Sequence, residues 1–451
     1  MLFTISEFDR SRTRAIWGKR MIDVNDLHAM VRAEIRARAE EGCDVSAVIE
    51  RMEELEELRT APSNLERLLE SLGELEPDSN FPFDEPDDLD AIQAARPADP
   101  PGRFAVTGDL QDRILGAWLG RCAGCLLGKP VEGFSRAEIV TYLKAAGEYP
   151  LARYFPLLEV NPLERPLHRS AGESTRGNFD CMPRDDDVDY MIIALHILEQ
   201  YGRDYVAEDV GREWLLLLPI HMVFTAERAA YRNLVNGLQP PDTATFQNPY
   251  REWIGAQIRA DVFGYVCAGD PESAAALSYE DAVLSHVKNG IYGEMFAAAM
   301  VAAAFGASDP KSALLAGMAQ IPRASRLYEA LSNTLAWSAD HENWEDALEL
   351  VMTNYGEYHA VHTINNACFV ALGLLYGDGD FGKSIAIAVE CGMDTDCNGA
   401  TVGSVLGAML GARQLPAQWT DPLQNRVRSM VAGFDNSRIT DLADRTLRLT
   451  E

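Results

Sequence analysis

Residues 390–411 read ECGMDTDCNGATVGSVLGAMLG. Asp394 and Asp396 stand two apart near its head, and Gly399, Gly403, Gly407 and Gly411 follow at a spacing of four. That spacing puts the glycines on one face of a helix. Each interior helix glycine costs about 1 kcal/mol relative to alanine. Close approach of another backbone offsets such a cost. A second ladder, Gly116, Gly120, Gly124 and Gly128 in GAWLGRCAGCLLG, has the same spacing. The two ladders are expected to pack on each other or on neighbouring helices. Small residues four apart also occur in membrane helices, but this apolar run is too short and carries two carboxylates at its mouth.

The glycines do not account for the aspartates. A second acidic cluster stands in CMPRDDDVDYMI (181–192), where Asp185, Asp186, Asp187 and Asp189 precede an apolar helical pattern. One aspartate suffices to cap a helix start. Adjacent carboxylates repel, and a cation is the natural compensation. Oxygen-rich sites suit magnesium, manganese or calcium. The alternative is a set of separate caps on an acidic surface. Neither cluster has the ligand order of an EF-hand.

The whole chain sets the limits. Its 451 residues carry a formal net charge of -29, and 47% are hydrophobic, enough for a sizeable core. The acidity argues against a nucleic-acid partner. No apolar run reaches membrane length, the start lacks signal-peptide order, and eight cysteines make no disulfide scaffold. These features lead us to expect a cytoplasmic protein with no membrane association. Cys122 and Cys125 have metal-ligand spacing, but there is no second CxxC, and they read as small buried thiols.

Residues 21–73 carry helical patterns rich in charge. Glu76 to Gly102 is a Pro- and Asp-rich connector. We expect an acidic helical appendage and connector over 1–103, either an appendage alone or a protein-partner-binding element, and a catalytic domain over 104–451. Beyond the boundary, helical periodicity recurs at 110–127, 186–201, 207–218, 251–267, 271–283, 291–305, 325–338, 345–354, 360–375, 381–390 and 396–411. Val140 to Pro162 reads as loop or short helix. The fold class is all-α, a compact multi-helix domain.

Three motifs, taken together, resemble the ADP-ribosylglycohydrolase family, which includes the dinitrogenase-reductase-activating glycohydrolases and ADP-ribosyl-acceptor hydrolases. ILGAWLGRCAGCLLGKPVEG is similar to that family's opening helix. DDDVD resembles its threonine-aspartate-aspartate-threonine ligand motif, and GMDTDCNGATVGSVLGAMLG its closing ligand motif. The likeness runs from about Asp112 to about Gly433. It implies two divalent cations, Mg2+ or Mn2+, and hydrolysis at C1 of the distal ribose of an ADP-ribosyl adduct. By position, Asp186, Asp187, Asp394 and Asp396 match the ligands. Glu132 in KPVEG matches an acidic position near the scissile bond. The departures are Asp185 and Val188 for the two threonines, Cys397 then Asn398 for the closing threonine or serine, and Cys125 for an acidic residue.

The resemblance therefore implies metal ligation by Asp185, Asp186, Asp187, Asp394 and Asp396, with Cys397 adjoining. Glu132 and Asp187 are the candidate catalytic carboxylates, with Glu132 as general acid or base. Gly128, Glu132 and Asn398 are candidate substrate contacts. His286 and Asn289 in LSHVKNGIYG, before another apolar helix, are further candidates for the mouth of the cleft, and His362 and Asn365 in EYHAVHTINN, three apart, could share a helix face near the metals. Two other readings keep the same residues: a hydrolase of free nucleosides or other small N- or O-glycosides, and a helical scaffold that binds metal and ligand without turnover.

Overall fold

The computed structural model describes residues 24–57, 62–98 and 100–450. The helical expectation for 21–23 and 58–61 lies outside them. The described chain is all-α, with two-residue strands as its only ladders. The appendage is α1 (Val24–Glu40), α2 (Ser46–Glu57) and α3 (Pro62–Gly73). Leu27, Val31, Met52, Leu65 and Leu72 close a small core of their own. The connector then runs to residue 109. Its short helix Leu89–Ala94 is capped by Asp88, and Ile92 is buried in the main core.

The larger part is built around α4 (Leu110–Gly128) and a long run of later helices, of which α5 (Asp186–Tyr201), α6 (Lys288–Ala304), α7 (Thr363–Gly377) and α8 (Thr395–Leu410) position the site. Every residue of α6 from Asn289 to Ala304 is buried, as a helix surrounded on all sides requires. No helix among the described residues is long and apolar enough to cross a membrane.

The two glycine ladders face each other. A methyl built on Gly116, Gly120 or Gly124 meets the carbonyl of Gly407, Gly403 or Gly399, and the reverse holds for each partner. Gly128 in turn lies against the backbone of Thr395. Because one number falls as the other rises, α4 and α8 are antiparallel, in backbone contact along their length. This contact compensates the helical cost of the glycines. It also sets the end of α4 beside the start of α8. There β1 (Phe134–Ser135) pairs antiparallel with β2 (Gly392–Met393), and the Gly133 amide donates to the Met393 carbonyl at 2.8 Å.

One expected helix is absent. Residues 251–267 give turns, a 3-10 turn at Gln257–Arg259 and a helix only over Asp261–Val266. Arg251 and Glu252 are drawn into buried ion pairs with residues distant in sequence, and the Ile254 amide bonds to the Val361 carbonyl at 3.0 Å rather than within a helix. Within 140–162, Arg136–Ala146 forms a helix with a Ser135–Glu138 capping box, and the rest is irregular.

Candidate active site

Beside the packing of α4 on α8 lies one cleft of about 540 Å³. The turn after α4, residues 168–173, the start of α5, residues 221–227, the 253–258 segment and the start of α8 line it. Asp186, Asp187, Asp394, Asp396 and Glu132 line the cleft together. Side chains at and beneath the cleft form two donor groups that share Asp396. Cys125 Sγ and one carboxylate oxygen each from Asp185, Asp187 and Asp396 lie within 4.8 Å of one another. One oxygen each from Glu132, Asp394 and Asp396 forms the other group.

Local structure fixes each carboxylate. Asp185 is the N-cap of α5, where its Oδ1 accepts from the Asp187 amide at 3.0 Å, and Lys129 Nζ pairs with its other oxygen. Arg121 is fully buried within α4. It donates to the Asp187 carbonyl at 2.9 Å, to Asp187 Oδ1 at 3.2 Å and to Asp261 Oδ2 at 2.6 Å. Asp394 occupies the N-cap position of α8, yet its side chain caps no amide. Its own amide donates to Asn366 Oδ1 at 3.3 Å. Met393, just before it, is held at φ +62°, a left-handed conformation unusual for methionine. Asp396 has a buried Oδ1 with no protein partner.

Electrostatics reflect this crowding. Burial and neighbouring carboxylates push Asp187, Asp394 and Asp396 well above the usual carboxylate range. Glu132 is pushed up to about 8, first by burial and then by Asp394, Asp185 and Asp186. Asp186 rises to about 6 through burial and Asp185. Lys129 and Arg184 instead hold Asp185 below its ordinary value. A divalent cation beside these groups would reverse the repulsion, since opposite charge favours the ionised form. The orphaned Asp396 oxygen and an oxygen-rich donor set fit such a cation.

The expected residues divide. Asp186 lines the cleft outside both donor groups, 3.6 Å from Arg184 Nη1. Cys397 is buried at the cleft wall and also belongs to neither group. Glu132 lies 3.5 Å from His168 Nε2. Gly128 serves the helix contact, its carbonyl accepting from Thr395 Oγ1 at 2.8 Å. Asn398 donates to Asn366 Oδ1 at 2.8 Å, beneath the site. His286, Asn289, His362 and Asn365 do not line the cleft. His286 bonds Ser285 Oγ at 2.8 Å. Asn289 donates to Glu252 and Glu85 at 2.7 and 2.8 Å. His362 caps α7 through the Ile364 amide, and Asn365 donates to the His359 carbonyl at 3.0 Å. Asp189 is also structural: it accepts from Ser429 Oγ at 2.7 Å, the Met430 amide at 2.9 Å and Arg184 Nε at 2.7 Å.

Sequence reasoning missed Arg121, Lys129, Trp253 and the site-facing place of Cys125. Arg121 had a readable signal, a lone charge inside a glycine-laddered apolar helix. Trp253 had none, because its segment was read as helix.

The chain matches the ADP-ribosylglycohydrolase family model over residues 107–451. It belongs to that family. The ADP-ribosylglycohydrolase match begins just before α4 and leaves the appendage outside. No curated protein matches the chain. Among solved structures it is similar to an ADP-ribosylglycohydrolase-related protein complex, at 19% identity and a TM-score of 0.46, over 76% of this chain and 99% of that one. Family membership makes the protein a glycosyl hydrolase of the ADP-ribosylglycohydrolase kind, acting on ADP-ribosyl adducts.

Proposed function

We propose that this protein hydrolyses the C1 bond between the distal ribose of an ADP-ribosyl group and its acceptor, with two divalent cations, Mg2+ or Mn2+, in the cleft. The observation that carries the reading is Asp396, one buried carboxylate common to two donor groups, with an oxygen that no protein group satisfies. Asp185, Asp187 and Asp396 would hold one cation, with Cys125 adjoining. Glu132, Asp394 and Asp396 would hold the other. Bound there, the cations supply a positive field that orients ribose hydroxyls and lowers the pKa of an attacking water.

The chain's own groups do the rest. Arg121 and Lys129 fix the rotamers of Asp187 and Asp185, so these carboxylates need no rearrangement when substrate enters. Glu132, at the open side of the cleft, is the group placed to pass a proton to or from the scissile bond. Exposed Arg169 and half-buried Arg184 bring positive charge to the rim of a carboxylate-floored cleft, beside His168, which burial and Lys129 keep below its ordinary pKa. That favours a diphosphate-bearing substrate over a plain nucleoside.

The test is product analysis by chromatography. ADP-ribosylated arginine and serine peptides, O-acetyl-ADP-ribose and plain nucleosides would each be incubated with Mg2+, Mn2+ or chelator. The proposal expects metal-dependent ADP-ribose from one adduct. Product from nucleosides alone would move the substrate to small glycosides. Metal binding with no product from any of them would point to a scaffold.

A further inference from the structure

The appendage outside the family match grips the wall of the cleft. Residues 253–255 line that wall, and the two residues before them are tied to appendage and connector carboxylates, Arg251 directly and Glu252 through Arg326. Arg251 is 4% exposed. Its Nη1 donates to both oxygens of Glu34 at 3.0 and 2.9 Å, and its Nε to Glu41 at 2.9 Å. Glu252 is equally buried and accepts from Arg326 Nη2 at 2.8 and 2.7 Å. Arg326 in turn donates to Glu85 of the connector at 2.6 Å and to the Glu40 carbonyl at 3.0 Å.

The next residue, Trp253, faces the cleft and stacks on His359 with ring centres 4.0 Å apart and planes 11° apart. The segment that carries His359 is also tied to the appendage, since Arg36 donates to the Glu357 carbonyl. Connector and domain meet again where the Lys288 amide donates to Asp87 Oδ1 at 2.6 Å. These bonds run along one continuous path from α1 to the cleft. The Arg251 and Arg326–Glu252 pairs among them are buried, and a buried guanidinium stripped of its carboxylates is costly. The same pull prevents 251–256 from forming a helix.

We infer that the appendage is a positioning clamp for the substrate wall: Glu34, Glu41 and Glu85, acting through Arg251, Arg326 and Glu252, hold Trp253 against His359 and so set how tightly an ADP-ribosyl substrate is bound. None of the three carboxylates lines the cleft, so they are positioning residues and not catalytic ones. The inference rests on the proposed function for its substrate.

The experiment uses the full chain carrying Glu34→Gln and Glu41→Gln together. Steady-state release of ADP-ribose gives KM and kcat separately, and amide hydrogen exchange follows 250–256. The clamp predicts KM raised about tenfold with kcat within about twofold, the signature of lost binding without lost chemistry. It also predicts faster exchange at Trp253 and Ile254 while α4 and α8 keep wild-type protection. Wild-type KM with wild-type exchange would overturn it. If the double variant does not fold, Glu34→Gln alone, which leaves Glu41 on Arg251, is judged by the same two readouts. Hydrogen exchange needs no substrate, so a wild-type protein that releases no product would refute the proposed function and leave the clamp separately decided.

Discussion

Gly124→Ala tests the link between the helix contact and the chemistry. A methyl at Gly124 falls well inside 3.0 Å of the Gly399 carbonyl, and the obstacle is backbone that cannot rotate away. The two helices must part by roughly 1 Å at that level, in an interior packed like a crystal. Overpacking of this kind costs about 3 kcal/mol, and the better helix propensity of alanine returns about 1 kcal/mol. The net loss is about 2 kcal/mol, read by denaturant unfolding. The functional effect should be larger. Gly124 lies one turn from Gly128, which packs on Thr395 between the two aspartates of the site. A displacement of about 1 Å there lowers turnover on the order of 100-fold. Gly172→Ala is the control, since nothing lies within 4 Å of its added methyl. Stability within 0.5 kcal/mol of wild type (roughly the scatter of neutral surface changes) and unchanged turnover in Gly124→Ala would refute the reasoning.

Other predictions follow from single groups. Asp394→Ala should abolish metal-dependent turnover yet raise the metal-free unfolding midpoint, because Asp396 and Asp186 repel the carboxylate it removes; a lowered midpoint contradicts this. Asp189→Ala should cost about 3 kcal/mol in unfolding, since it strips Arg184 and the 429–430 turn of one buried partner. His362 is pushed down to about 3, chiefly by burial, against an ordinary value of 6.5. The folded protein therefore binds this proton less readily than the unfolded chain. Its contribution to stability is present above pH 6.5 and is lost at about 1.4 kcal/mol per unit as pH falls towards 3. Glu252, held at about 2 mainly by Arg326 against its own burial, adds a further loss below pH 4.5. An NMR titration in which the His362 ring protonates near 6.5 would contradict the first of these.

Much of the site was legible because its residues are local to helix starts. DDDVD and GMDTD announce crowded carboxylates, and two ladders of equal spacing announce helices in backbone contact. The structure adds that the ladders face each other, which no spacing alone decides. Lys129 was not read because a lone basic residue acquires meaning only from a partner distant in sequence, here Asp185; the charge of Arg121 inside an apolar helix was visible, but not its partner Asp187. Residues 251–256 carry a helical pattern, but ion pairs to positions more than 70 residues away in sequence override it. Asn289 looked like a mouth residue from its place before an apolar helix, and His362 like a residue near the metals from its spacing to Asn365. The connector and the α7 cap use them instead.

The central claim is that Asp396 joins two cation sites on which glycosidic hydrolysis depends. Its most direct test is Mn2+ titration of metal-free protein by electron paramagnetic resonance, in parallel with ADP-ribose release, for wild type and Asp396→Asn. The account predicts that wild type binds Mn2+ and turns over, and that Asp396→Asn, folded by circular dichroism, loses both at the same Mn2+ concentration. Wild-type turnover by Asp396→Asn, or product release by wild type that chelator leaves unchanged, would contradict it.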